Sequence, residues 1–94
     1  MGHIEVDPAR MDAFVADVEA LAIRTRGEEG CLFYAVVVDD ARAGRLLVAE
    51  RWQDQASLTA HLEAPATSTF VRKWAGAMKS DVRKYDATHE RTLA

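Results

Sequence analysis

Three side chains with chemical potential lie close together in this chain: Glu50, Trp52 and His61. Histidine is the side chain whose ordinary pKa lies nearest neutrality, so His61 is the natural general base. Glu50 can orient that histidine or accept a hydrogen bond from a ligand hydroxyl. Trp52 can hold an aromatic ring. Leu58, His61 and Leu62 follow at i, i+3, i+4, which puts His61 on the apolar face of a helix. A strand end bearing Glu and Trp beside a helix bearing an inward His describes a small-molecule pocket. The plainer alternative makes Trp52 and Leu62 core residues and His61 a satisfied buried histidine.

The elements that must position these residues can be read from periodicity. Leu46-Leu47-Val48-Ala49-Glu50-Arg51-Trp52 is an apolar run ending in a charged pair and a Trp, and reads as a strand buried on both faces. Asp54 can cap a helix from Gln55 to about Glu63, which breaks near Pro65. Upstream, His3 to Val6 is a short strand, and Asp7-Pro8 punctuates the chain. Met11, Phe14, Val15, Val18, Leu21 and Ala22 then mark an amphipathic helix, stopped by Gly27 and Gly30. Cys31 to Val38 is a second apolar strand, joined to Arg45–Trp52 by an Asp39–Gly44 turn. Thr67, Ser68 and Thr69 offer a fresh cap for a helix striped by Phe70, Val71, Trp74, Ala75 and Met78. A last strand is expected from Val82 to about Glu90, where Tyr85, Ala87 and His89 alternate.

The order is β-α-β-β-α-β, with the second helix in two pieces. This is the split β-α-β plan of ferredoxin-like α+β folds, with both helical regions on one face of an antiparallel sheet. The two central strands do not alternate apolar and polar residues, so the second sheet face also needs cover. The economical cover is a second copy packed sheet to sheet, because monomers rarely expose a large apolar patch.

Composition narrows the function classes. The 94 residues form one expected domain, residues 1–94, and 49% of them are hydrophobic, enough for a core. The net charge of −3 offers no basic footprint for nucleic acid. An RNA-recognition module shares the element order, but its basic, glycine-bearing aromatic motif is missing from both central strands. Cys31 is the single cysteine, which allows no intrachain disulfide and no cysteine-based metal site. Its apolar neighbours suggest a buried thiol rather than a nucleophile. His3, His61 and His89 are scattered without ligand spacing. No segment approaches a membrane span, and Met1–Val6 lacks a long apolar leader. A reducing cytoplasm is the expected compartment.

Several motifs carry a family resemblance: Ile4-Glu5-Val6-Asp7-Pro8, Phe14, Glu29-Gly30-Cys31-Leu32-Phe33-Tyr34, Glu50-Arg51-Trp52-Gln53-Asp54, Ala60-His61-Leu62 and Phe70. In these the chain resembles the antibiotic biosynthesis monooxygenase (ABM) domain family, from Ile4 to about Met78. The resemblance implies a ferredoxin-like protomer forming a dimeric α+β barrel, in agreement with the independent packing argument. It also implies several apolar residues ahead of the Ile4 position, where this sequence has only Met1, Gly2 and His3, which leaves open a first strand that starts further upstream. Haem-degrading relatives have an Asn on the first strand, a Trp at the position of His61 and a haem-ligating His at that of Val71, so haem degradation is not expected. Against the aromatic-polyketide oxygenases, Trp52 is kept and Arg72 can be aligned, while Val48 and Leu58 stand where those enzymes use Asn and Tyr.

The chemistry implied by the resemblance is oxygenation without metal, flavin or haem. The expected substrate is a quinol-like or polyphenolic aromatic that supplies its own electrons to molecular oxygen. His61 would take a phenolic proton, and Glu50 would orient His61 or bind a substrate hydroxyl. Trp52, Tyr34, Phe33 and Phe70 would bind the ring, and Arg72 would steady an anionic intermediate. Each has a plainer role. Phe33 and Trp52 suit the core, Tyr34 a hydrogen bond across the dimer, and Glu50 with Arg51 an interfacial ion pair. Arg72 lies off the stripe of Phe70, Trp74 and Met78 and reads as a solvated helix residue. Two further functions use the same pocket: isomerisation by proton transfer, and non-catalytic binding of a small hydrophobic metabolite by a dimeric module.

Overall fold

The computed structural model describes residues 1–94. Strand β1 (Gly2–Val6) leads through a tight helical turn, Pro8–Arg10, into α1 (Met11–Arg26). The hairpin β2 (Cys31–Asp40) and β3 (Arg45–Trp52) follows, then α2 (Gln55–Glu63), α3 (Pro65–Trp74) and β4 (Met78–Val82). The four strands form one antiparallel sheet in the order β2-β3-β1-β4. This is the ferredoxin-like arrangement expected from the element order. No helix is long and apolar enough to cross a membrane.

The core lies between the helices and one sheet face. Ile4 and Val6 of β1 and Leu46 and Val48 of β3 meet Met11, Phe14 and Val18 of α1 and Trp74 of α3. Phe14 is its centre, with the rings of Trp74 and Phe70 edge-on at 4.9 and 5.5 Å. The stripe read for α1 is the buried one: only Val15 of its six residues is half-buried rather than buried. The Trp74 indole N–H donates to Asp17 at 2.9 Å, which ties α3 to α1 while leaving no buried donor unpaired.

Asp7 caps the Pro8–Arg10 turn, accepting from the Ala9 N–H, and α1 starts at Met11, where its stripe begins. Two local expectations are corrected. The break near Pro65 is present, with α2 ending at Glu63, but α3 opens at Pro65 itself and not at Thr67–Thr69. The proline's missing N–H costs nothing in a first turn, so no Thr or Ser cap is needed there. The last strand is Met78–Val82, not 82–90. Helix α3 ends at Trp74, a turn follows, and Met78 pairs with Val6 while Val82 pairs with Gly2. The pairing runs one residue further, where Arg83 and Met1 exchange hydrogen bonds at 2.9 Å each, and the chain end at Met1 leaves the residues after Arg83 no β1 partner.

The apolar central strands have one covered face within the protomer. Tyr34, Leu46 and Val48 are buried toward the helices, while Phe33, Val37 and Leu47 are exposed on the other side. A depression of about 690 Å³ lies on that open side, lined by Ala35, Val37, Leu47, Ala49, His3 and Tyr85 among others.

Candidate functional site

At the end of the sheet where β2 begins and β3 finishes, α2 crosses the covered face. Asp54 fixes its start: the carboxylate accepts from the Ser57 N–H at 2.8 Å, which holds it well below the usual carboxylate range. One turn beyond Ser57, His61 points inward and is 3% exposed. The indole of Trp52 stacks on its ring, centroids 4.9 Å apart and planes at 28°. The Tyr34 ring meets it edge-on at 5.7 Å.

Polar contacts hold the cluster. His61 Nδ1 lies 2.7 Å from Glu28 Oε1, and Thr67 Oγ1 stands 3.4 Å from the same nitrogen. Nε2 makes no hydrogen bond inside the protein. Since no fully enclosed side-chain nitrogen or oxygen is left without a partner, Nε2 is not fully enclosed. The Trp52 indole N–H donates to Glu50 Oε1 at 3.0 Å. Arg26 donates to the Tyr34 backbone carbonyl at 3.0 Å, fixing the strand under the ring.

The electrostatics are those of a half-dry, acidic site. Burial raises the Tyr34 phenol pKa strongly, and Glu50, Cys31 and Glu28 add to the rise. The Cys31 thiol is pushed up too, by burial and then by Glu28 and Glu50. It therefore stays protonated and is a poor nucleophile. No group of three or more His, Cys, Asp or Glu side chains converges in the geometry of a metal site.

The structure brings together His61, Glu50, Trp52 and Tyr34, four of the residues singled out from the sequence. Phe33 lies on the opposite sheet face, paired with Arg51. Phe70 packs against Phe14 between α1 and α3. Arg72 is exposed on α3. Within the chain Arg51 pairs with Glu90, and the Glu50 carboxylate accepts from Trp52. Glu28 and Thr67 are additions that sequence reasoning missed. The available signal for Glu28 was its place just ahead of the Gly30 turn and the Cys31–Tyr34 motif.

Residues 1–73 match the family model described as antibiotic biosynthesis monooxygenase. The chain belongs to that family. Every member of the His61 cluster, from Glu28 to Thr67, lies inside the matched segment. Two curated relatives are similar. The uncharacterized protein sll1783 of Synechocystis is 28% identical over 94 residues, which cover 98% of this chain and 64% of that protein's length. The Bacillus subtilis protein named "Putative monooxygenase YcnE" is 27% identical over 71 residues, 76% of this chain and 75% of that one. Among solved structures, a "putative antibiotic biosynthesis monooxygenase" from Deinococcus radiodurans superposes with a TM-score of 0.87 at 21% identity, covering 99% of this chain and 94% of its own. One of the same description from Nitrosomonas europaea gives 0.76 at 16% identity, covering 85% and 77%. These likenesses establish the ABM fold for the protomer.

Proposed function

We propose that this ABM-family chain is a monooxygenase of quinol-like or polyphenolic aromatic molecules, using no metal, flavin or haem. The observation that carries this reading is His61: buried, gripped at Nδ1, free at Nε2 and roofed by Trp52. The family membership and the name of the YcnE relative support it.

In this reading Nε2 takes a phenolic proton, and Trp52 and Tyr34 bracket the ring. The phenolate passes electrons to molecular oxygen. A hydroquinone and one dioxygen give a hydroxyquinone and one water: one oxygen atom enters the ring, the other leaves as water, and the substrate supplies all the electrons. Glu50, whose second oxygen is not used by Trp52, accepts a substrate hydroxyl. The proposed working set is His61, Trp52, Tyr34 and Glu50.

The same proposal includes a homodimer and a reducing cytoplasm. Phe33, Val37 and Leu47 leave an apolar sheet face uncovered, and a second copy would bury it. Several hundred Å² at roughly 25 cal/mol per Å² contributes on the order of ten kcal/mol before association costs. The single unpaired thiol, Cys31, suits a reducing compartment.

Oxygen uptake with a panel of hydroquinones and polycyclic phenols tests the activity. The expected result is one oxygen consumed per substrate, a product heavier by one oxygen atom and lighter by two hydrogens, and indifference to chelator. Tight binding without oxygen uptake would instead make the protein a binding module. Proton exchange into a substrate without uptake would make it an isomerase.

A further inference from the structure

We infer that Glu28 is the positioning residue of the site: it fixes which ring nitrogen of His61 carries the proton, so that Nε2 presents a lone pair to the ligand. The inference rests on the reading of His61 as the base, and it moves the orienting role from Glu50 to Glu28.

A neutral imidazole has one N–H and one acceptor nitrogen, and an ionised carboxylate can only accept. With Glu28 Oε1 at 2.7 Å from Nδ1, the proton belongs on Nδ1. Thr67 Oγ1, at 3.4 Å from the same nitrogen, is too distant to compete. Glu50 cannot do this work, because its Oε1 is already engaged by the Trp52 indole. When Nε2 accepts a proton, the imidazolium that forms stands beside the Glu28 carboxylate, a charge-assisted pair screened from solvent on the histidine side. The arrangement is that of a carboxylate behind a catalytic histidine, where the acid orients and stabilises without taking the proton itself.

Glu28 is held in place by the backbone around it. Its N–H donates to the Thr25 carbonyl at 3.0 Å, and its own carbonyl accepts from Cys31 at 3.2 Å. Gly30, two residues along the same turn, accepts from the Gln53 N–H at 2.8 Å, tying the turn to the end of β3. The turn also presses on Ser57 of α2, one helical turn before His61. The carboxylate and the imidazole are therefore set relative to each other by two rigid supports, which is what preorganisation requires.

Glu28→Gln tests this, with Glu28→Asp as the conservative partner. Nitrogen NMR of the His61 ring in the purified protein reads the tautomer without any substrate. The wild type should carry its proton on Nδ1. Glu28→Gln can donate as well as accept, and should shift the proton wholly or partly to Nε2 while thermal stability shows the protein folded. With a quinol substrate, kcat should fall roughly tenfold to a thousandfold with KM little changed, and Glu28→Asp should recover part of the loss. A Glu28→Gln ring that keeps its proton on Nδ1 overturns the inference, as does a shifted tautomer with full kcat. If no quinol is turned over by the wild type, the monooxygenase reading fails, and the tautomer measurement alone still decides whether Glu28 sets the proton on His61.

Discussion

The indole of Trp52 lies over the imidazole of His61 at 4.9 Å, and its N–H is turned aside to Glu50. One aromatic ring thus closes the histidine off from the end of β3 without using either ring nitrogen. The stack joins the last residue of a strand to the last turn of the following helix, so the short link and the helix start capped by Asp54 decide whether it forms. A residue that packs like a core aromatic is in this way also the wall of the candidate site.

His61→Ala separates the two meanings of a buried histidine. If His61 is the base, turnover should drop by roughly two orders of magnitude or more while the protein stays folded. The truncation also leaves Glu28 without its partner, so a stability cost of about 1–3 kcal/mol is expected in either case. Turnover per folded molecule, measured beside thermal stability, is the deciding quantity. Normal turnover in the folded fraction would make His61 a packing residue.

Trp52→Phe keeps a ring over His61 and removes the hydrogen bond to Glu50. Its expected effect is a rise in KM with a smaller change in kcat, since ring bracketing is mainly a binding interaction. Trp52→Ala should raise KM further. Steady-state kinetics on one quinol, with all three proteins at the same folded concentration, gives the comparison.

Tyr34 should resist alkaline titration. Its folded pKa is raised, chiefly by burial, so the neutral phenol stabilises the fold fully below the ordinary tyrosine value of about 10. That contribution declines as pH rises beyond it, because the unfolded chain ionises first. Phenolate absorbance should therefore develop in two stages, the later one accompanying loss of tertiary structure. Tyr34→Phe should abolish the later stage. A Tyr34 that ionises at its ordinary pH in the intact fold would contradict the burial described.

Much of this architecture was legible in the chain. The α1 stripe and the hairpin follow from local spacing, because one buried face imposes one period; on α2 the spacing placed His61 inside correctly, but Leu62, read with it, is 58% exposed. Placing His61 beside Trp52 needed only the Asp54 cap between them. Glu28 was not legible, since it reaches His61 across elements far apart in sequence and any of several carboxylates has the same local signature. β4 was misplaced because an edge strand of five residues, mostly exposed, carries no alternation to read. Pro65 misled for a related reason: proline stops one helix and starts the next equally well.

Leu47 and Val48 are neighbours on β3 that face opposite ways, and a charge at each should have opposite consequences. Val48 is buried beneath the helices, so Val48→Glu should unfold the protomer, at a cost of several kcal/mol for an unpaired buried charge. Leu47 is 44% exposed on the open face, so Leu47→Glu should leave the fold and its thermal unfolding nearly intact. If a second copy covers that face, Leu47→Glu should convert a dimer into a folded monomer by sedimentation. A wild-type chain that sediments as a stable monomer at micromolar concentration would remove the dimer from the proposal.

Gly30 should be intolerant of any side chain, for two separable reasons. Its φ of +81° lies in the left-handed region, and a Cβ there would stand 2.0 Å from Ser57 Oγ. Gly30→Ala should therefore cost about 1–3 kcal/mol from backbone strain alone, with the clash added. The clash has a specific direction: it pushes the Glu28 turn away from the helix that carries His61. Removing the Ser57 side chain as well, in Gly30→Ala/Ser57→Gly, opens the space but leaves φ unchanged. The double variant should recover the steric part of the stability loss and keep the strain part, a coupling that a double-mutant cycle reads directly. It should also restore the Glu28–His61 contact, seen as return of the His61 proton to Nδ1. Strictly additive losses would mean that the turn and α2 are not in the close contact that sets this pair.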